Sequence, residues 1–254
     1  MKKLIATVFM LILLCPLLFG ETSIFLGGIY DSYNGNDWGF EGSIDSDFMK
    51  NASLSAAIDY RYDSNYSMSF TADYKPLFFL IGGGLDFKIN KNGVYPGLKA
   101  DIGFYAGKSF LMVAYGTIGI NASDVSAPTM FEIGLKSKYI LKNAAFQVNG
   151  YFSQENYPSY IIRNAVSDIA MTLYSEGFLY SLKTGIQADF AQDSRWETRK
   201  NHLNLKGTVG VGKNKPSGTL VIQLTFNMAT ILGPKTDGFA VSIGMFPGKT
   251  SYIY

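Results

Sequence analysis

Residues 52–75 alternate between apolar and polar side chains with a period of two. Leu54, Ala56, Ile58, Tyr60 and Tyr62 interleave with Ser53, Ser55, Ala57, Asp59 and Arg61. After Asp63-Ser64-Asn65 the rhythm restarts, with Tyr66, Met68, Phe70, Ala72 and Tyr74 set against Ser67, Ser69, Thr71 and Asp73. Successive side chains of a strand point to opposite faces, so each set shares one face. The short Asp/Ser/Asn connection folds the second strand back on the first. One face of this hairpin is apolar and ends in aromatics; the other carries hydroxyls and charges. The first suits lipid and the second suits water.

The same pattern recurs along the chain. Further strands are predicted over 23–33, 37–45, 77–90, 97–107, 110–121, 129–141, 144–155, 178–190, 202–212, 218–230 and 239–246. Asn34-Gly35 is a strong hairpin signal, because both central positions of its turn need positive φ. Lys75-Pro76 is a tight breaker. The segments 23–33 and 110–121 are apolar on both faces and reveal no orientation. Residues 156–174 read two ways: Ile162, Val166, Ile169 and Leu173 are spaced as on a helix, while Ile169, Met171 and Leu173 also alternate as in a strand. A strand over 168–175 brings the total to fourteen; a helix over 157–175 leaves twelve. The connections favour fourteen. With both chain ends on one side, the links 46–51, 75–76, 107–109, 142–143, 175–177 and 213–217 fall together. The longer links 91–96, 121–128, 156–167, 191–200 and 231–238 fall on the opposite side, as short inner turns and long outer loops do in spanning barrels. The expectation is an all-β chain, a transmembrane antiparallel up-and-down β-barrel of about fourteen strands.

Composition agrees with this pattern. Aromatics are 15% of residues, glycines number 27, and only 17% of residues are charged. No stretch beyond the N-terminus reaches eighteen uncharged apolar residues, so no spanning helix is predicted. Residues 1–20 read as a signal peptide, with basic Lys2 and Lys3, an apolar run Leu4–Leu14 and Gly20 at the expected cut. Residues 21–254 then form a single barrel domain. Cys15, the only cysteine, lies in the removed segment, and its neighbours Leu14 and Pro16 do not suit lipidation. Loss of Lys2 and Lys3 brings 22 basic residues to 20, against 20 acids. A balanced chain lacks the basic footprint of nucleic-acid binders and the polybasic patch of membrane-surface proteins.

The export signal, the alternating segments of about ten residues, their Tyr and Phe ends and the terminal Tyr254 carry a resemblance to bacterial outer-membrane β-barrel proteins of porin type. No motif assigns a subfamily. The resemblance implies a place in the cell outer membrane and insertion by the barrel-assembly machinery. It implies a monomer acting as a passive, weakly selective channel for small hydrophilic solutes. Rival readings are a transporter of hydrophobic substrates, which would need an N-terminal plug, and an adhesive barrel using the loop at 191–200.

The polar faces carry the acids Glu41, Asp45, Asp59, Asp73, Asp86, Asp101, Glu132 and Asp189 and the bases Arg61, Lys88, Lys99, Lys136, Lys138, Lys183 and Lys206. Eight against seven gives neither sign a lead. Among these, Asp59, Arg61, Asp86, Lys88, Lys99, Asp101, Glu132, Lys136, Lys138, Lys183, Asp189 and Lys206 are the expected pore-lining residues. Eight strands leave room only for side chains and sixteen to eighteen leave a channel, so fourteen lies nearer a wet interior. Enzyme chemistry finds little support. Residues 207–213 match seven positions of a phosphate-binding loop, but Asn214 replaces the magnesium-binding hydroxyl and Pro216-Ser217-Gly218 forbids the helix. His202, the only histidine, lacks a serine two residues on, where Asn204 stands. No catalytic residue, cofactor or metal site is expected. The triplets at 51–53, 65–67 and 121–123 match a glycosylation sequon but read as turn residues.

Overall fold

The computed structural model of the protein describes residues 22–247 except 33–36, 50, 62–64, 91–92, 108, 121–127, 157–159, 176, 194–197, 216–217 and 234–237. Its elements are β1 (Thr22–Asp31), β2 (Asp37–Met49), β3 (Ala52–Arg61), β4 (Asn65–Tyr74), β5 (Phe79–Asn90), β6 (Gly93–Ala106) and β7 (Phe110–Ile120). They continue with β8 (Pro128–Ile140), β9 (Ala144–Asn156), β10 (Tyr160–Ser175), β11 (Phe178–Asp193), β12 (Thr198–Lys215), β13 (Gly218–Leu232) and β14 (Phe239–Pro247). Each strand pairs antiparallel with its chain neighbours, and β1 pairs with β14 to close the barrel. Closure removes the open edges that a fourteen-stranded sheet would otherwise expose. The expected signal segment, the Asn34-Gly35 turn, Tyr62 and the terminal Tyr254 lie outside the described residues.

One contact identifies the inside. Lys88 on β5 lies 3.6 Å from Glu132 on β8, although β6 and β7 separate those strands. Two side chains can meet over intervening strands only on the concave face. The ladder registers carry that assignment around the barrel, and the outward face is the apolar one. Leu98 is 68% exposed and Ile118 66%, and the same row holds Ile133, Ile169, Leu182 and Ile222. A continuous exposed apolar surface of this kind fits hydrocarbon, not water. The segments that gave no orientation from sequence now have one. In β1, Leu26 and Tyr30 face out while Phe25 and Ile29 face in. In β7, Ile118 faces out while Leu111, Tyr115 and Thr117 face in.

Aromatics border the apolar belt. At the end where the longer connections lie, Trp38, Tyr60 and Tyr66 stack across β2–β4, with centroids 6.0 Å and 4.7 Å apart. At the opposite end, where the connections are tight, Phe79 and Phe104 lie 5.1 Å apart. We call these the loop end and the turn end. Beyond the loop-end aromatics the outer face becomes polar: Arg163 Nε donates to Gln154 Oε1 at 2.8 Å, and Gln154 Nε2 donates to Asn156 Oδ1. That change marks the limit of the apolar belt.

Several boundaries differ from the sequence reading. β10 is a strand of 16 residues, so the expected link 156–167 is mostly ladder. Ile162 and Val166 face in while Ile169 and Leu173 face out, which is why the four mimicked one helical stripe. The expected charged loop at 191–200 is also largely absorbed, since β11 runs to Asp193 and β12 starts at Thr198. β6 starts at Gly93 and includes Pro96, which pairs with Phe87; pairing with β7 begins only at Gly97, so the missing proline N–H removes no bond there. β5 starts two residues late because Leu77 adopts positive φ in the turn, closed by Phe79 N donating to Pro76 O at 3.0 Å.

Candidate functional site

With the outer face apolar, the chemistry of the barrel is on its inner wall. All twelve residues expected to line a pore stand on that wall. On β3, Arg61 donates through Nε and Nη2 to both oxygens of Asp59, at 3.0 and 3.2 Å. Gly39 on β2, opposite Arg61, leaves space for its stem. On β6, Lys99 pairs with Asp101 at 3.6 Å. On β11, Lys183 pairs with Asp168 of β10 at 3.1 Å, and Asn149 of β9 donates to the other oxygen of Asp168. Gln187 donates to both oxygens of Asp189. Asp86 sits beside Gly97, and Lys206 between Gly185 and Asn227.

The structure gathers five of the twelve around one residue the sequence did not single out. Tyr115 of β7 lies across β8 where Gly134 has no side chain; a Cβ there would collide with the ring. Lys136 Nζ is 5.0 Å from the ring centroid and Lys99 Nζ 5.6 Å, a double cation–π arrangement. The Tyr115 hydroxyl hydrogen-bonds Glu132, which holds Lys88, while Lys99 holds Asp101. Lys138 stands two residues further along β8. Neither Lys136 nor Lys138 forms an ion pair with a described carboxylate. The pairs at Asp59, Lys183 and Asp189 lie elsewhere on the wall and are not brought together.

No known protein-family profile matches the chain, and no curated protein matches it in sequence. Solved structures match over nearly the whole barrel. A bacterial polysaccharide outer membrane secretin superposes with a TM-score of 0.51 at 8% identity, over 90% of this chain and 98% of its own. OmpT, an outer membrane protein of Vibrio cholerae, superposes with a TM-score of 0.50 at 9% identity, over 89% and 95%. An outer membrane channel from Pseudomonas putida F1 gives 0.49 at 11% identity, over 90% and 95%. The fold is that of the outer-membrane β-barrel proteins.

For an outer-membrane-type barrel the inner charges matter most, and the wall holds more acids than the sequence reading counted. Asp31, Asp37, Asp47, Glu155 and Asp168 also face in. Among the described side chains they raise eight acids to thirteen against the same seven bases, so the expected balance of signs is corrected there to an acidic excess. Asp168 escaped notice because its segment read two ways, although its alternation with Ile169 signals the inner row. Asp31 lies on an unoriented strand and Asp47 in an assumed link. Among the described residues, His202 faces Asp189 across the β11–β12 ladder, with Asn204 as its next inner neighbour. Among the described residues no three His, Cys, Asp or Glu side chains form a metal-sized group.

Proposed function

We propose that the protein is an outer-membrane channel through which small hydrophilic solutes diffuse passively with weak selectivity. In this reading residues 1–20 direct export, the barrel-assembly machinery inserts the chain, and the barrel works as a monomer. The observation that carries it is the direction of the inner polar contacts. Asp59 with Arg61, Lys99 with Asp101, Gln147 with Asn149 and Gln187 with Asp189 each join residues two apart on one strand. Such pairs lie flat along the wall. A plug would instead need chains of contacts across the interior, and among the described residues the ion pair of Lys88 with Glu132 spans only β5 to β8. The Lys183 side chain keeps 45% of its surface exposed even while paired, in keeping with a wet interior. Purified barrel reconstituted in a planar bilayer is expected to give discrete conductance steps. A membrane that stays silent while the barrel is demonstrably inserted overturns the proposal.

A further inference from the structure

The inner charges are sorted by wall. Among the described side chains of β6–β12 the lysines equal the acids, five of each, and most are joined in pairs or gathered around Tyr115. On β1–β5 the same census is lopsided. β2 presents Asp37, Glu41, Asp45 and Asp47 in one inward row, Asp31 and Asp59 flank it, and Asp73 and Asp86 follow on β4 and β5. Among the described residues of these five strands only Arg61 and Lys88 oppose them, and Lys75, in the turn between β4 and β5, pairs with Asp47 at 3.9 Å. Arg61 is committed to Asp59, and Lys88 reaches away to Glu132 on the other wall. Glu41, Asp45, Asp73 and Asp86 form no ion pair with a described cation.

The spacing makes these acids a path. Steps of four residues along β2 separate Asp37, Glu41 and Asp45 by about 13 Å each. That is close to the screening length of ~10 Å at 0.1 M salt, so their fields overlap from one mouth of the barrel to the other. A low-dielectric wall focuses such a field into the lumen instead of dispersing it. Asp45 at the turn end is exposed, so the row ends in contact with solvent. The surplus of described acids therefore lies on one side of the barrel, while Lys136 and Lys138, which form no ion pair with a described carboxylate, stand on the other.

Resting on the channel reading, we infer that the pore prefers cations, and that they travel along the β1–β5 wall. Small cationic solutes are the class it favours over anions of equal size. The test is the reversal potential of the reconstituted protein under a KCl gradient. The expected sign is that of potassium permeating several-fold faster than chloride, with the ratio falling as total salt rises and screens the wall. Replacing Glu41→Gln, Asp45→Asn and Asp73→Asn together is expected to lower the ratio by more than half. Lys136→Gln with Lys138→Gln is expected to raise it. The paired variants move the ratio in opposite directions, which a general loosening of the barrel would not do. Current with a zero or chloride-directed reversal potential overturns the inference and leaves the channel standing, whereas inserted barrel without current overturns both.

Discussion

At the scale of single residues, the inner wall depends on where side chains are absent. Gly134 lets the Tyr115 ring lie flat between Lys99 and Lys136, and Gly185 does the same for Asp168. A side chain at Gly134 must push the ring off the wall into the lumen, at an overpacking cost of about 1–3 kcal/mol. Gly134→Val is therefore expected to lower single-channel conductance, and the effect is expected to vanish in a Tyr115→Ala background. A conductance loss that persists without the ring would show that the glycine acts through the backbone instead. Tyr115 was not legible as a site residue, because its strand is apolar on both faces and only ladder register orients it. By contrast, the inward direction of Asp59, Lys99 and Lys136 was legible, because each sits in a strand whose alternation is uninterrupted.

At the scale of elements, the fourteen strands could be read from alternation because lipid enforces it. A polar outward residue within hydrocarbon is costly, so the apolar row stays unbroken over the span. The reading faltered where that constraint ends. β10, β11 and β12 run 16, 16 and 18 residues, against the 9–11 that a spanning strand needs. Their surplus continues past the aromatic border, where outward Arg163 is as acceptable as an isoleucine. Loops expected at 156–167 and 191–200 were therefore mistaken for connections when the chain there is mostly paired. Ser167→Pro tests this assignment: proline removes a ladder bond in a strand paired on both sides. It is expected to abolish the compact, heat-sensitive band of the folded barrel in gel electrophoresis. A loop at that position would tolerate the change. Between β1 and β14, Ser32 adds a staple, its hydroxyl donating to Phe239 O at 2.9 Å and accepting from Phe239 N at 2.8 Å. Ser32→Ala is expected to cost about 1 kcal/mol and to lower the temperature at which the folded band converts.

At the scale of the whole molecule, the two faces obey opposite rules for the same substitution. Leu98→Arg places a charge on the outer belt midway along β6. It is expected to destabilise the inserted barrel by about 2–4 kcal/mol. Ala57→Arg puts the same group on the inner wall, where water reaches it, at an expected cost near 0.5 kcal/mol. Denaturant titration of the barrel in lipid vesicles compares the two, and equal costs would reverse the assignment of inside and outside. That assignment was read first from the alternation at 52–75, and the ion pair between β5 and β8 now anchors it independently.

The seam between β1 and β14 has a consequence in time. Every other ladder joins neighbours in sequence, so it can zip from a local turn as soon as its second strand exists. The seam joins strands about two hundred residues apart, over only six partner positions from Leu26 with Met245 to Asp31 with Ala240. Bringing such distant segments together costs about 5 kcal/mol of chain entropy. Left open in hydrocarbon, the two edges would strand a row of backbone groups at several kcal/mol each, so closure wins by a wide margin. Yet it can happen only when the last strand has been delivered. Until then the growing sheet carries two unpaired margins, one on β1 and one on the strand added last.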